Sequence, residues 1–343
     1  MRAWDGRERG PDDPLAELRE RGIELDPVPE GHHRHGDEVH PSDHTHPHHR
    51  TEPGDGPSIG VVGAGAVGTA LGVAFARAGW SVDAVASRDP ERRARFRDLV
   101  GLGVKAFAEA TAVVDEVELI VLAVPDDVLP GLAGELRMYS GQAMVHTSGA
   151  LGAEVLAPAM AAGTQIGAFH PLVAFTDVER SVAALQGATV AIEGDDQLAD
   201  LLARLAESVG ATAVRLPPGT KPAYHAAAVL SAGGLVALLD AIAELGRVAG
   251  LDEAGALGIY GRLVEQTLAN ARAIGIRAAL TGPMTRGDVG TLRRHLAVLA
   301  EDAPDVLPLY RAAAEREVAL AEARGAIAPE TAATLRAALA SGS

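Results

Sequence analysis

Between the apolar run Ser58-Ile59-Gly60-Val61-Val62 and an apolar segment ending at Gly79 lies Gly63-Ala64-Gly65-Ala66-Val67-Gly68, and this arrangement leaves few folds open. The run reads as a short buried strand, and the segment after it as a helix with a glycine stop. A chain that passes from strand to helix in so few residues needs a tight turn. Gly63 permits that turn, Gly65 lets the backbone come close to a ligand, and Gly68 lets the helix pack against the strand. A helix that starts here presents backbone N–H groups and the positive end of its dipole to an anion, and the pyrophosphate of a dinucleotide fits. A G-x-G-x-x-G alone is a weak signal, and the same residues would serve a turn that only connects strand to helix; the strand before and the helix after are the context the chemistry requires.

The pattern then repeats. Ser81 to Ala86 reads as a strand, Pro90 to about Val100 as an Arg-rich helix, and Leu119 to Pro125 as a third, long apolar strand. Further strands are expected at Ala143 to His146, Gln165 to Phe169, Ala188 to Ile192 and Thr212 to Leu216, with a helix over Gln197 to Val209. Strands and helices alternating at this spacing imply an α/β fold with a parallel, doubly wound sheet. The sheet is expected to end at Pro217-Pro218-Gly219. Beyond Thr220 the chain is rich in Ala and Leu, broken by Gly250, Thr281-Gly282-Pro283, Pro304 and Pro329, which predicts an all-helical second domain. The expected organisation is a tail over 1–56, a sheet domain over 57–218 and a helical domain over 219–340.

Composition narrows the class. Up to about Pro57 there is hardly an apolar run, and Pro, Gly, Asp, Arg and His abound, so the segment is expected to be disordered. Eight of the 12 histidines lie between His32 and His49, a density that would chelate borderline metals weakly; no metal site is expected in the folded part. The net charge of −16 gives no footprint for a nucleic acid, and without cysteine the chain has no disulfide, thiolate or thiol nucleophile. No signal peptide and no apolar run of transmembrane length is read from the sequence, so no membrane is expected and the cytoplasm is the default location.

About twenty residues past Gly68, an NAD-binding chain would place an acidic residue on the ribose 2′-hydroxyl. Here Ser87-Arg88 stands there, followed by Arg92 and Arg93. A hydroxyl and a guanidinium suit a 2′-phosphate, so the expected cofactor is NADP(H). Arg93 is expected on a solvated helix face, and Asp89 could cap the helix rather than touch ligand.

The folded part has only His146, His170, His225 and His295. His146 opens His-Thr-Ser-Gly at the end of a strand, and His170 precedes Pro171 at the end of the next, so both, with Ser148, belong to the edge where open α/β sheets bind ligands. His225 follows Lys221 by four residues, which puts both on one helix face and suggests acid–base chemistry. Arg286 lies in a Gly- and Pro-punctuated loop and could clamp a substrate carboxylate, while Asp288 could instead cap the next helix and pair with Arg286.

Gly63 to Gly68, Val124-Pro125-Asp126, His146-Thr147-Ser148-Gly149, Phe169-His170-Pro171-Leu172, Tyr224-His225-Ala226-Ala227 and Thr281 to Asp288 with His295 resemble the Rossmann-like proteins with a C-terminal DUF2520 domain. These are relatives of the 6-phosphogluconate dehydrogenase, pyrroline-5-carboxylate reductase and F420-dependent NADP oxidoreductase group. The resemblance spans about Pro57 to Leu339. It implies that Gly63, Gly65, Ala66, Val67, Gly68, Ser87, Arg88, Arg92, Val124 and Pro125 hold NADP, and that the protein is a homodimer paired through its helical domain. Lys221 and His225 are similar to a Lys and Asn pair of related β-hydroxyacid dehydrogenases in which the Lys is general acid or base, with His in place of Asn. The function implied is NADPH-dependent reduction of a small carbonyl or imine acid such as ketopantoate, with Lys221 or His225 giving the proton and Arg286 or Ser148 holding the carboxylate. The His170-Pro171 pair is similar to that of prephenate dehydrogenases, which leaves oxidative decarboxylation as an alternative. A non-catalytic NADP-binding regulator is the other.

Overall fold

The computed structural model describes residues 32–35, 38–41, 56–161 and 163–341. The chain divides into two compact units, Met1–Pro217 and Pro218–Ser343. Within the segment expected to be disordered, β1 (His32–His35) and β2 (Glu38–Pro41) pair antiparallel; the remainder of that expectation lies outside the described residues.

The N-terminal unit is built on an eight-stranded sheet. Its elements are β3 (Ile59–Val62), α1 (Ala66–Arg77), β4 (Val82–Ala86), α2 (Pro90–Val100), β5 (Lys105–Phe107), α3 (Thr111–Val114), β6 (Leu119–Leu122), α4 (Leu129–Glu135), β7 (Ala143–His146), a 3-10 segment (Ala153–Ala159), β8 (Gln165–Pro171), α5 (Val178–Leu185), β9 (Thr189–Glu193), α6 (Asp196–Ser208) and β10 (Thr212–Arg215). Strand order is β10-β9-β8-β7-β6-β3-β4-β5. The six strands from β3 to β8 are all parallel to one another, and their order reverses direction between β3 and β6. Such a reversal opens a crevice at the carboxyl ends of the two strands.

Successive residues along each strand feed opposite cores, as the period of two demands. Val61, Val121 and Val145 pack with Leu71, Phe75 and Phe169 on one face. Val62, Leu122 and Met144 pack with Leu129, Leu136 and Leu156 on the other. Both faces are covered, which is why these strands read as continuous apolar runs.

Two features depart from the expected sheet. β5 was not anticipated: it is a three-residue edge strand with Lys105 and Ala106 exposed, so it carries no apolar run. The sheet is also not wholly parallel, because β9 runs antiparallel to β8, with Phe169 opposite Ile192, and β10 is parallel to β9.

The C-terminal unit is all helical: α7 (Lys221–Ser231), α8 (Gly233–Val248), α9 (Glu253–Ile274), α10 (Ile276–Ala279), α11 (Pro283–Arg286), α12 (Val289–Asp302), α13 (Leu307–Ala323) and α14 (Pro329–Ala340). Met284, Leu292, Leu296, Val318, Leu335 and Leu339 form its main core, and Ala241 joins Leu299, Ala303 and Val306 in a second cluster. α9 is different: of its 22 residues only Ala256 is buried.

The helical stretch Lys221–Val248 corrects one expectation. With a mean hydropathy of 2.0 over its most apolar window, it is long and apolar enough to cross a bilayer by length and composition alone. Its apolar character comes from many Ala and Gly residues between a few Leu and Val, which is why no such run stood out in the sequence. The backbone breaks at Ala232 (φ −109°, ψ −83°), where α7 gives way to α8.

Candidate functional site

The turn after β3 is shaped by its glycines. Gly63 has φ +105°, and a Cβ there would sit 2.2 Å from the carbonyl oxygen of Ala123 at the end of β6. A Cβ on Gly68 would meet the Gly63 carbonyl oxygen at 2.0 Å. Only glycine allows both the turn and the close approach of α1 to the strand. Gly65 differs, since a Cβ there would meet nothing within 4 Å and its φ of −80° suits any residue. The space over Gly65 is open, beside the first turn of α1, where no side chain caps the helix and no acidic residue stands. An uncapped N-terminus with open room above its glycine matches what a phosphate needs. Ala66 and Val67 begin that turn, and Val124 and Pro125 follow β6 on the neighbouring strand.

After β4, the residues expected at the ribose are sorted into different tasks. Asp89 caps α2, accepting from the Glu91 and Arg92 N–H groups at 2.9 and 3.2 Å. Arg92 pairs with that same Asp89 at 3.2 Å, so its guanidinium is engaged at the cap. Arg93 is half-buried rather than on a solvated face, and its guanidinium donates to the Ser87 carbonyl oxygen, clasping the turn. Ser87 Oγ accepts from the Asp89 N–H at 3.3 Å. Arg88 is exposed and makes no ion pair among the described residues.

The loop after β7 is organised from within. Ser148 Oγ donates to Asp126 Oδ2 at 2.8 Å and accepts the N–H groups of Ala150 and Leu151 at 3.2 and 3.0 Å. One donor and two lone pairs are the whole capacity of a hydroxyl. These bonds fix the β7 loop to the loop after β6. His146, fully buried, accepts the Ser148 N–H at Nδ1 (3.2 Å), so its proton lies on Nε2 and is donated to the Gly152 carbonyl oxygen at 3.1 Å. That histidine is a structural part of the loop. His170 is half-buried near the end of β8, on the same sheet edge.

In the C-terminal unit, Lys221 opens α7 and is 1% exposed. Lys221, Tyr224, His225 and Ala228 form the least exposed stripe of that helix at i, i+3, i+4 and i+7, while Pro222, Ala223, Ala226 and Ala227 are exposed. Tyr224 was not singled out from sequence, although its place one turn after Lys221 was legible; burial pushes its phenol up to about 12. Arg286, at the end of α11, is exposed and makes no ion pair among the described residues, whereas Asp288 caps α12 by accepting from the Thr291 N–H and hydroxyl. Those two bonds, with Arg294 and Arg286 nearby, hold the Asp288 carboxyl below its usual range. His295 is also outside the α7 stripe; its Nδ1 lies 2.7 Å from the Tyr310 hydroxyl.

Residues 52–171 match the Rossmann-like domain, and residues 188–317 match DUF2520, a domain of unknown function. No curated protein matches the chain in sequence. Among solved structures, a candidate NADP oxidoreductase from Bacteroides fragilis is 22% identical, with a TM-score of 0.63 over 76% of this chain and 97% of its own. The 1-pyrroline-5-carboxylate reductase of Streptococcus pyogenes is 17% identical, with a TM-score of 0.56 over 78% and 98%. A reductive aminase from Aspergillus terreus, in complex with NADPH and ethyl levulinate, is 18% identical, with a TM-score of 0.58 over 81% and 98%. At these identities the likeness is one of fold. The chain thus carries a match to the Rossmann-like domain followed by a match to DUF2520, in that order.

Proposed function

We propose that this protein is an NADPH-dependent reductase of a small carbonyl or imine compound bearing a carboxylate, with 2-oxo acids such as ketopantoate the first to try. The observation that carries this reading is Arg88, exposed and without an ion pair among the described residues, two residues beyond β4 and on the same sheet edge as the uncapped start of α1. The open space at Gly65 and the first turn of α1 would take the pyrophosphate, Val124 and Pro125 would flank it, and Ser87 with Arg88 would take the 2′-phosphate. The nicotinamide, when bound, supplies the hydride. The names of two structural neighbours, a pyrroline carboxylate reductase and a reductive aminase with NADPH, support this chemistry.

The chain's own groups would handle the proton and the carboxylate. Nζ of Lys221 or the imidazole of His225 delivers a proton to the oxygen or nitrogen that gains the electron pair. Tyr224, with its phenol raised to about 12, keeps its proton near neutrality and does not serve as a base. Arg286 clamps the carboxylate, a task for which its fork of N–H donors is suited.

A homodimer paired through the helical unit is part of the same reading. Leu230, Val236, Ile259, Leu263 and Ile276, spread over α7 to α10, are each more than half exposed. Exposed apolar side chains on four consecutive helices support a docking face for another chain. A second copy is favoured over a bilayer because α9, which exposes Ile259 and Leu263, also exposes the paired charges of Arg262 and Glu265, which a protein contact accommodates more readily than a hydrocarbon core does.

The deciding experiment follows NADPH absorbance on adding ketopantoate, pyruvate or a cyclic imine acid. Consumption by at least one supports reduction. Tight NADPH binding with no consumption would leave a regulator, and NADP reduction on adding prephenate would favour oxidative decarboxylation through His170.

A further inference from the structure

The N-terminal unit has a cavity of about 250 Å³ at the other edge of its sheet, where the strands begin. Pro57, Leu119 and Ala143, at or just before the starts of β3, β6 and β7, line its apolar side. Gln197, Leu201 and Arg204 close it from α6, on one helix face at i, i+4 and i+7. A four-residue strand of about 13 Å separates this edge from the glycine turn, so the cavity has no share in the cofactor site.

Its polar groups are of both signs, and several are held in place. Glu118 Oε2 accepts the Ser58 N–H at 3.0 Å while Ser58 Oγ accepts the Glu118 N–H at 3.1 Å, a reciprocal clamp that leaves Oε1 for another donor. Gln165 donates Nε2–H to both carboxylate oxygens of Asp195, at 2.7 and 2.9 Å, so its amide oxygen remains an acceptor. Arg204 has Asp200 four residues before it and Glu207 three after, spacings at which helix ion pairs form. It pairs with neither, and lines the cavity instead.

The geometry points to a binding site for a free α-amino acid. The carboxylate sits on Arg204 and the Gln197 amide, and the ammonium sits on Glu118 Oε1 and the Gln165 amide oxygen. A plain carboxylate would meet the Glu118 charge and a plain amine the Arg204 charge, whereas a zwitterion satisfies both. Leu201 and Pro57 leave apolar room for a short side chain. Arg204 and Gln197 stay open to solvent, so binding near the millimolar level is expected.

The site stands independently of the reductase reading. Isothermal titration of the full chain with glycine, L-alanine, L-valine, L-proline and L-glutamine, beside acetate and propylamine, tests it. At least one amino acid should bind saturably and at least tenfold more tightly than acetate or propylamine. Arg204→Ala and Glu118→Gln should each weaken that binding at least tenfold while keeping the wild-type melting temperature and whatever NADPH affinity the wild type has. Absence of binding by every amino acid, equal binding of acetate, or unchanged binding in Arg204→Ala would overturn the proposal.

Discussion

The turn glycines separate folding from binding. Gly68→Ala forces a Cβ to within 2.0 Å of a carbonyl oxygen, so it should lower stability and cofactor affinity together. Gly65→Ala meets nothing in the chain, and should keep the wild-type melting temperature while weakening NADPH binding by tenfold or more, read by thermal shift and nicotinamide fluorescence. Unchanged NADPH binding in Gly65→Ala would mean that the turn is only a connection. Arg88→Ala should raise the NADPH Kd by roughly ten- to a hundredfold, the loss of one or two charge-assisted hydrogen bonds, and leave NADH unaffected. These positions were legible because their chemistry depends on local spacing. The fate of Ser148 was not: its acceptor, Asp126, is 22 residues away and reaches it only because β6 and β7 are neighbours. For the same reason the engagement of Arg92 with Asp89 and of Arg93 with the Ser87 carbonyl could not be read from sequence.

Among the elements, α6 and α13 carry opposite electrostatic signs. Asp195 caps α6 by accepting the Leu198 N–H, and that bond, with the one from Gln165, holds its carboxyl below the usual value. A depressed folded value means that the stabilisation is complete above the ordinary Asp range and fades as pH falls through the lower folded value. Asp195→Ala should therefore cost about 1 kcal/mol at neutral pH, the usual worth of a cap, and the deficit should shrink in acid. Glu317 on α13 is the reverse case, since burial pushes its carboxyl up. Its protonated form is favoured in the fold, so stability declines as pH rises from the unfolded value through the folded one, and Glu317→Gln should raise the melting temperature at pH 7 but not at pH 4. Strands buried on both faces announced themselves as apolar runs. β5 did not, because an exposed edge strand needs no such run, and the reversal of β9 left no mark because residue alternation is the same in either direction.

At the level of the whole molecule, the exposed apolar surface of α7 to α10 predicts sedimentation as a dimer, and Leu263→Asp should shift the protein to a monomer at micromolar concentration. A wild-type monomer would remove the interface. Lys221→Met should lower turnover at least a hundredfold with NADPH affinity intact; unchanged turnover would take Lys221 out of the mechanism. The turnover prediction rests on the cofactor, which one titration addresses directly: purified protein against NADPH and NADH, followed by nicotinamide fluorescence. The account predicts saturable NADPH binding at least tenfold tighter than NADH, with the preference abolished in Arg88→Ala. Equal affinity for the two, or no binding of either, would contradict it.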